Sequence, residues 1–132
     1  MSEAIEAAKI KIVELRKLIN TTLRTVHPRV YYQRAPETAT YPYLVYDLPD
    51  SIDSRPVEQF NLEVDGWDKP SSGDTTALET LMDDVDGVLH RKQGIFSELG
   101  VTISRARRLS ISDDDPLIHR RKYAYDLRVI GG

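Results

Sequence analysis

The sequence contains no cysteine among its 132 residues. Disulfides, thiolate-bound metals and cysteine nucleophiles are therefore excluded, which is typical of a protein made in a reducing cytoplasm. No run of about 18 consecutive apolar residues occurs either, so we expect no segment that spans a membrane. The first residues carry acids where a signal peptide needs bases, which predicts a soluble product that is not exported through a signal peptide.

The chain also lacks an excess of charge of one sign. Its 18 basic and 21 acidic residues give a formal net charge of −3. No global field therefore draws the protein to nucleic acid or to an anionic membrane, and any such contact must be local. The length, with 40% hydrophobic and 30% charged residues, predicts one folded domain that covers residues 1–132.

Motifs that carry catalysis or bind metals are missing too. The three histidines have no metal-ligand spacing, no serine lies in a Gly-x-Ser-x-Gly motif, and there is no phosphate-binding loop. Asp83, Asp84 and Asp86 fall on a predicted helix, where their spacing indicates a solvated face rather than a metal site. The acidic turn at residues 113–115 lacks the ligand spacing of a calcium loop. The sequence therefore predicts no enzyme, no cofactor and no metal.

Periodicity is the strongest feature that the sequence does contain. Between residues 60 and 68, apolar and polar side chains alternate, which predicts a strand with one face on a core and the other toward water or a partner. Apolar residues recur every three or four positions from Ser2 to Val26, and again from Asp74 to Gly94. These two segments are predicted amphipathic helices.

Four further segments rich in β-branched and aromatic residues predict strands. Residues 33–41 and 49–56 are interpreted as loops because proline punctuates them. The order helix, three strands, helix, two strands predicts an α+β domain. We expect a mainly antiparallel or mixed sheet of about four or five strands, with two helices on one face. Besides residues 60–68, the predicted strands are Val30 to Tyr32, Pro42 to Asp47, Gly100 to Ile111 and Leu117 to Ile130.

The last two predicted strands form a hairpin that is rich in basic residues. We expect this hairpin to bring six of them into one region: Arg105, Arg107, Arg108, Arg120, Arg121 and Lys122. Three interpretations stay open. The hairpin is solvated and its charge prevents aggregation through the edge strand, or it contacts the acidic loop region of an identical neighbour, or it is a nucleic-acid-binding module that contacts phosphates.

The polar face of the strand at residues 60–68 is a second candidate interface. If both helices cover one face of the sheet, the opposite face is left for a partner. Tryptophan is a frequent hot-spot residue in protein interfaces. The candidate side chains on that face are Asn61, Glu63, Asp65 and Trp67.

Four segments follow one another along nearly the whole chain. A long helix ends at Val30-Tyr31-Tyr32, and a proline loop leads into Pro42-Tyr43-Leu44-Val45-Tyr46. An alternating strand then ends in Val64-Asp65-Gly66-Trp67-Asp68 before a Ser/Gly break, and Tyr125 to Val129 closes the series. In this order and spacing the chain resembles the tail-completion proteins of long-tailed phages, the head–tail joining or tail-terminator family to which the minor tail protein U is related.

This resemblance implies a structural virion protein of a siphophage or prophage. It implies a homo-hexameric ring at the head-proximal end of the tail tube, which ends tail polymerisation and joins the tail to the head. The implied partners are the major tail tube protein and the head connector proteins, with DNA passing through the ring lumen as a further hypothesis. The implied location is the virion, after synthesis in the cytoplasm of the host bacterium, with no membrane partner and no cofactor.

Overall fold

A computed structural model of the chain describes residues 2–131, with side chains from residue 11 onward. Met1 and Gly132 of the predicted domain lie outside the described residues. No helix in the described range is long and apolar enough to cross a membrane. The elements are α1 (Ser2–Arg24), β1 (Val30–Tyr32), β2 (Tyr43–Asp47), β3 (Ser51–Ser54), β4 (Val57–Asp68), α2 (Thr76–Leu89), β5 (Gln93–Phe96), β6 (Leu99–Ile111) and β7 (His119–Ile130).

The α+β class and the two helices agree with the sequence prediction, whereas the strand count does not. Seven strands form one sheet in the order β1-β2-β4-β7-β6-β5, with β3 paired to β4. The prediction of a mainly antiparallel or mixed sheet is confirmed, since only the β1–β2 pair is parallel among these strands. The expected four or five strands and their order are corrected, because β3 and β5 were not predicted.

Both missed strands are four residues long and lie at the edge of the sheet. The sequence predicts a loop where β3 forms, because prolines flank the segment. In the structure all four side chains of β3 are exposed, so no apolar alternation marks this strand. In the structure β2 pairs with the end of β4 and β3 with its beginning, so β3 continues the line of β2 after a break at Pro49. The segment that forms β5 was assigned to the end of the second helix because of Gly94. That helix ends at Leu89 instead.

The helices cover one face of the sheet, called here the inner face. Side chains that alternate along the strands form a continuous core with one stripe of each helix. On α1 that stripe is Leu15, Ile19 and Leu23, all at most 1% exposed. The sheet contributes Leu62, Val64, Ile103, Tyr125 and Leu127, each fully buried, and α2 contributes Leu78, Met82, Val85 and Leu89.

A β-bulge at Ala106 changes the direction of the side chains in the second half of β6. Arg105 pairs with Tyr125 and Arg107 with Ala124, so two residues of β6 are used where β7 uses one. A bulge of this kind shifts the alternation by one residue. As a result Arg105 and Arg108 share the inner face with Tyr125 and Tyr123, while Arg107 lies on the opposite, outer face.

Candidate interaction surface

The outer face carries a stack of two aromatic rings and a guanidinium group. The strand register places Tyr43 of β2, Trp67 of β4 and Arg120 of β7 side by side. The rings of Tyr43 and Trp67 stack at 6.1 Å with an interplanar angle of 11°. The guanidinium carbon of Arg120 lies 4.6 Å from the centre of the Trp67 ring, within the range of a cation–π interaction. This row is amphipathic and only partly buried, which suits protein recognition.

Next to this stack lies the buried carboxylate of Asp65, which is 6% exposed. Arg120 Nε donates a hydrogen bond to Asp65 Oδ2 at 2.5 Å, and Lys122 Nζ lies 4.0 Å from Oδ1. Burial raises the pKa of Asp65 above its ordinary value, although Arg120 and Lys122 act in the opposite direction. Lys122 Nζ also donates to Glu63 Oε1 at 3.2 Å. The four side chains thus form one ion-pair network across β4 and β7.

The network forms the floor of a shallow cavity of about 380 Å³. Its charged lining is balanced, since it contains three acidic and three basic side chains. These are Asp47, Glu63 and Asp65 with Arg34, Arg120 and Lys122. The most buried carboxylate is already held by Arg120, so it is not free to act as a general base. Among the residues that the structure describes, no group of three or more His, Asp or Glu side chains is placed to hold a metal ion. The charges on the floor of the cavity are thus paired within the chain.

Asp86 of α2 organises a second polar cluster, on the inner face. Its Oδ2 accepts a hydrogen bond from Arg105 Nη1 at 2.6 Å, and its Oδ1 accepts one from the Tyr125 hydroxyl at 2.9 Å. Burial, reinforced by the Asp86 carboxylate, raises the pKa of Tyr125 well above its usual range. The prediction that Asp86 belongs to a solvated face is therefore corrected: it connects α2 to β6 and β7. Asp83 and Asp84 are exposed, as expected.

The structure divides the six basic residues of the hairpin between the two faces. The expectation that they lie in one region is corrected, because the bulge and the alternation of β7 separate them. Arg105, Arg108 and Arg121 lie on the inner face, and Arg107, Arg120 and Lys122 lie on the outer face. Five of the six are within 4.0 Å of a carboxylate of the same chain. Phosphate groups would have to compete with these carboxylates, so the geometry gives little support to a nucleic-acid-binding hairpin.

The four candidates on β4 have the placement that the sequence predicted. Asn61, Glu63, Asp65 and Trp67 all lie on the outer face, opposite both helices. Glu63 and Asp65 are engaged by Lys122 and Arg120, so they are not free acids awaiting the basic hairpin of a neighbour. The use of this face as an interface stays a prediction.

Sequence reasoning missed two exposed isoleucines at the edges of the sheet. Ile52 of β3 is 68% exposed and Ile95 of β5 is 80% exposed. Isolated exposed apolar residues are common, but both of these lie in edge strands. A signal existed only for Ile52, which stands between two polar residues in Ser51-Ile52-Asp53; Ile95 stands between Gly94 and the apolar Phe96.

No family model matches the chain, and no curated protein matches it. Solved structures do share its fold. One of them, a chain from the virion of a native gene transfer agent (GTA) particle, superposes with a TM-score of 0.68 over 86% of this chain and 92% of its own length, at 13% identity. A second solved protein, whose name states no function, has a TM-score of 0.66 and 13% identity over 95% of this chain and 96% of its own. These likenesses establish the fold that the chain shares with a component of a virus-like particle.

Proposed function

We propose that this chain is a structural protein of a phage-like virion. The observation that carries the proposal is the shared fold with a chain of a GTA virion, which extends over 86% of this protein and nearly all of that chain. The outer face is consistent with such a role, because it presents stacked rings and paired charges over a shallow cavity. Surfaces of this kind serve recognition between proteins.

The finer proposal is a ring that caps the head-proximal end of a tail tube. It comes from the resemblance of the sequence to tail-completion proteins and extends the virion role to a specific place. A ring of identical copies uses two different surfaces of each subunit, and its closure limits lateral growth. Its two sides are different, so one can end the tail tube while the other receives the head connector. Six copies are the expected number.

Deletion of the gene from the phage or prophage that carries it tests both levels of the proposal. We expect filled heads and separate tails, with tails of irregular length in electron micrographs, and no infectious particles. Complementation with the intact gene should restore joined particles that contain the chain. If the mutant tails have a uniform length but do not join to heads, the head-joining role is supported and the terminator role is contradicted. Intact, infectious particles without the chain would overturn the virion role itself.

Contact with DNA in the ring lumen is a separate part of this proposal and is tested by single substitutions. Arg107 is exposed and forms no ion pair among the described residues, so it is the hairpin arginine most available to a phosphate. If it contacts the genome during passage, Arg107→Ala should slow DNA ejection while joined particles still form. Arg128→Ala removes an exposed arginine of the same outer face that also forms no ion pair among the described residues, and it is the matched control. Equal ejection rates in both variants and the wild type would argue against contact with DNA.

A further inference from the structure

The sheet has two edges that nothing in the described chain covers. On the β6 side, β5 is the last strand, and on the other side β3 pairs only with β4. Edge strands expose unpaired backbone N–H and C=O groups, and proteins commonly protect them with lysine, proline or a covering segment. Within β3 and β5 there is no lysine or proline, and each strand exposes an isoleucine, Ile52 on β3 and Ile95 on β5.

The third edge, at β1, differs because the chain itself satisfies it. Arg24 Nη2 donates a hydrogen bond to the carbonyl oxygen of Val30 at 3.1 Å. The backbone N–H of Arg34 donates one to the carbonyl oxygen of Tyr32 at 2.7 Å. No comparable bonds reach the outward side of β3 or β5 among residues 11–131. The two edges with exposed isoleucines are therefore the ones left open for another strand.

These two edges are compatible with each other in direction, face and length. Each pair along the path β3-β4-β7-β6-β5 is antiparallel, so β3 and β5 run the same way. Ile52 lies opposite Gln59, and Ile95 lies opposite Gly100, which in turn pairs with Ile130. The alternation of the strands places all of these residues on the outer face. Both strands have four residues, so a head-to-tail neighbour can place its β3 parallel to β5.

The charges beside the two strands are also complementary. Asp50 directly precedes β3, and Arg91 and Lys92 directly precede β5. A parallel alignment that sets Ile52 against Ile95 brings Asp50 of one copy toward Arg91 and Lys92 of the other. Asp53 lies beyond Ile52, at the Phe96 end of β5, so the complementary charges are those that precede the two strands.

We propose that β3 of one copy pairs in parallel with β5 of the next copy, with Ile52 packed against Ile95. This contact rests on the proposed function, because it assumes that the chain acts as an assembly of identical copies. It adds to that function the strands through which the copies join. It joins two different surfaces, so it propagates head to tail and can close into a ring. It also extends one sheet across the subunit boundary, and the row of Ile95 and the half-exposed Ile130 then lies beside the incoming Ile52.

The cysteine-free sequence allows a direct test by cross-linking. Ile52→Cys and Ile95→Cys are made separately in the full chain, purified, mixed at high concentration and treated with an oxidant or a short bis-maleimide. We expect a covalent dimer from the mixture and none from either variant alone. The double variant should give a ladder of higher species. An internal bond is excluded, because three strands separate the two sites by roughly 19 Å, beyond the ~7 Å limit for a disulfide.

Matched controls define the results that would overturn the contact. Ser104→Cys is exposed on the outer face of β6 but not at an edge, so its mixture with Ile52→Cys should give no dimer. Equal yields in this control, or dimers of the single variants, would contradict the pairing. In a second measurement, Ile95→Lys should abolish association by sedimentation, while Thr102→Lys on the neighbouring strand should not. Both variants must keep the wild-type circular dichroism spectrum.

The same double variant, placed in the phage, separates this inference from the proposed function. Intact particles that contain the chain but give no cross-linked ladder would overturn the contact and leave the virion role in place. A ladder formed by the purified chain, together with infectious particles that lack it, would support the contact and overturn the virion role. A ladder from purified particles that ends at one defined size is the expected result.

Discussion

Gly66 of β4 lies directly beneath Met82 of α2. A Cβ atom built on Gly66 would stand 2.5 Å from Met82 Sδ and 3.1 Å from Leu78 Cδ1. Both of these side chains are fully buried. The glycine therefore sets how closely the second helix approaches the sheet, immediately behind the outer-face residues Asp65 and Trp67.

Substitution of Gly66 is expected to destabilise the fold through overpacking. Gly66→Ala should lower the free energy of unfolding by about 1–3 kcal/mol, because Met82 must leave its rotamer or α2 must shift. The control is Gly87→Ala on the exposed side of α2, where an added Cβ has no atom within 4 Å. That change should raise stability by about 0.5–1 kcal/mol, since glycine weakens a helix. Urea unfolding of both variants measures the difference, and similar effects of the two would contradict this account.

Asp86 should be far more important than the other aspartates of its helix. Asp86→Ala leaves the Tyr125 hydroxyl and the Arg105 guanidinium without their shared acceptor, so we expect a loss of about 2–4 kcal/mol in urea unfolding. Asp84→Ala removes an exposed carboxylate and should change stability by less than about 0.5 kcal/mol. Equal effects of the two substitutions would show that the Asp86 cluster contributes nothing to the fold.

The sequence predicted those elements whose periodicity is long. The strand β4 and both helices follow from alternation or from a recurring apolar stripe. The structure places β4 and α1 within three residues of their predicted bounds, whereas α2 ends at Leu89, five residues before the predicted end at Gly94. The short edge strands could not be predicted, because β3 is exposed on every side chain and depends on its pairing with β4 rather than on a local pattern. The register shift at Ala106 could not be predicted for the same reason, since it depends on the pairing of β6 with β7 and not on a local pattern.

The pairing of Arg120 with Asp65 should show strong coupling. Arg120→Met leaves a buried carboxylate with only Lys122 at 4.0 Å, so we expect a loss of about 2–3 kcal/mol at neutral pH. The double variant Asp65→Asn, Arg120→Met removes the uncompensated charge and should recover at least half of that loss. Urea unfolding of the two single variants and the double variant completes the cycle. Additive losses would mean that the two side chains act independently.

The pKa of Asp65 predicts a specific dependence of stability on pH. Burial raises this pKa above its ordinary value of 3.8 in the native state. The native protein therefore holds the proton more tightly than the unfolded chain, and this stabilising contribution is lost as the pH rises from below 3.8 through the native pKa. The stability of the wild type relative to Asp65→Asn should accordingly fall as the pH rises, in urea unfolding from pH 3.5 to 6.5.

Asp74 is the opposite case and serves as the control for that experiment. Its carboxylate accepts hydrogen bonds from the hydroxyl and the backbone N–H of Thr76, which lower its pKa. The contribution of Asp74 is present above the unfolded value and is lost as the pH falls. The stability of the wild type relative to Asp74→Asn should therefore rise with pH. If the free-energy difference between wild type and variant changes with pH in the same direction for both substitutions, the assigned environment of Asp65 is contradicted.

The turn between β5 and β6 contains strain that a substitution can relieve. Ser97 and Glu98 have φ angles of 49° and 67°, the left-handed region that favours glycine. Glu98→Gly should raise the free energy of unfolding by about 0.5–1 kcal/mol. Gly131→Ala, at a φ of 103° and with its new Cβ 3.1 Å from the Glu98 carbonyl oxygen, should lower it. Thermal unfolding measures both variants. If the two substitutions shift the midpoint temperature in the same direction, this interpretation is contradicted.

Candidate site residues were predictable where one strand determined their direction. Asn61, Glu63, Asp65 and Trp67 share a face because β4 is regular throughout its length. The basic residues were not predictable as a group, since their direction depends on two strands and on the bulge between Arg105 and Arg107. Their partners Glu79 and Asp86 are distant in sequence, so no local pattern could show that most of the charge is neutralised within the chain.

The extra residue at Ala106 has a consequence for what mutation can do to this protein. The pairing of β6 with β7 already passes over Ala106, so its deletion leaves Arg107 to Ile111 facing as they do now. A one-residue insertion after Arg107 would instead reverse Arg108 to Ile111 and turn Leu109 and Ile111, which lie on the outer face, toward the helices. Loss of Ala106 should therefore be tolerated much better than a gain of one residue later in the same strand.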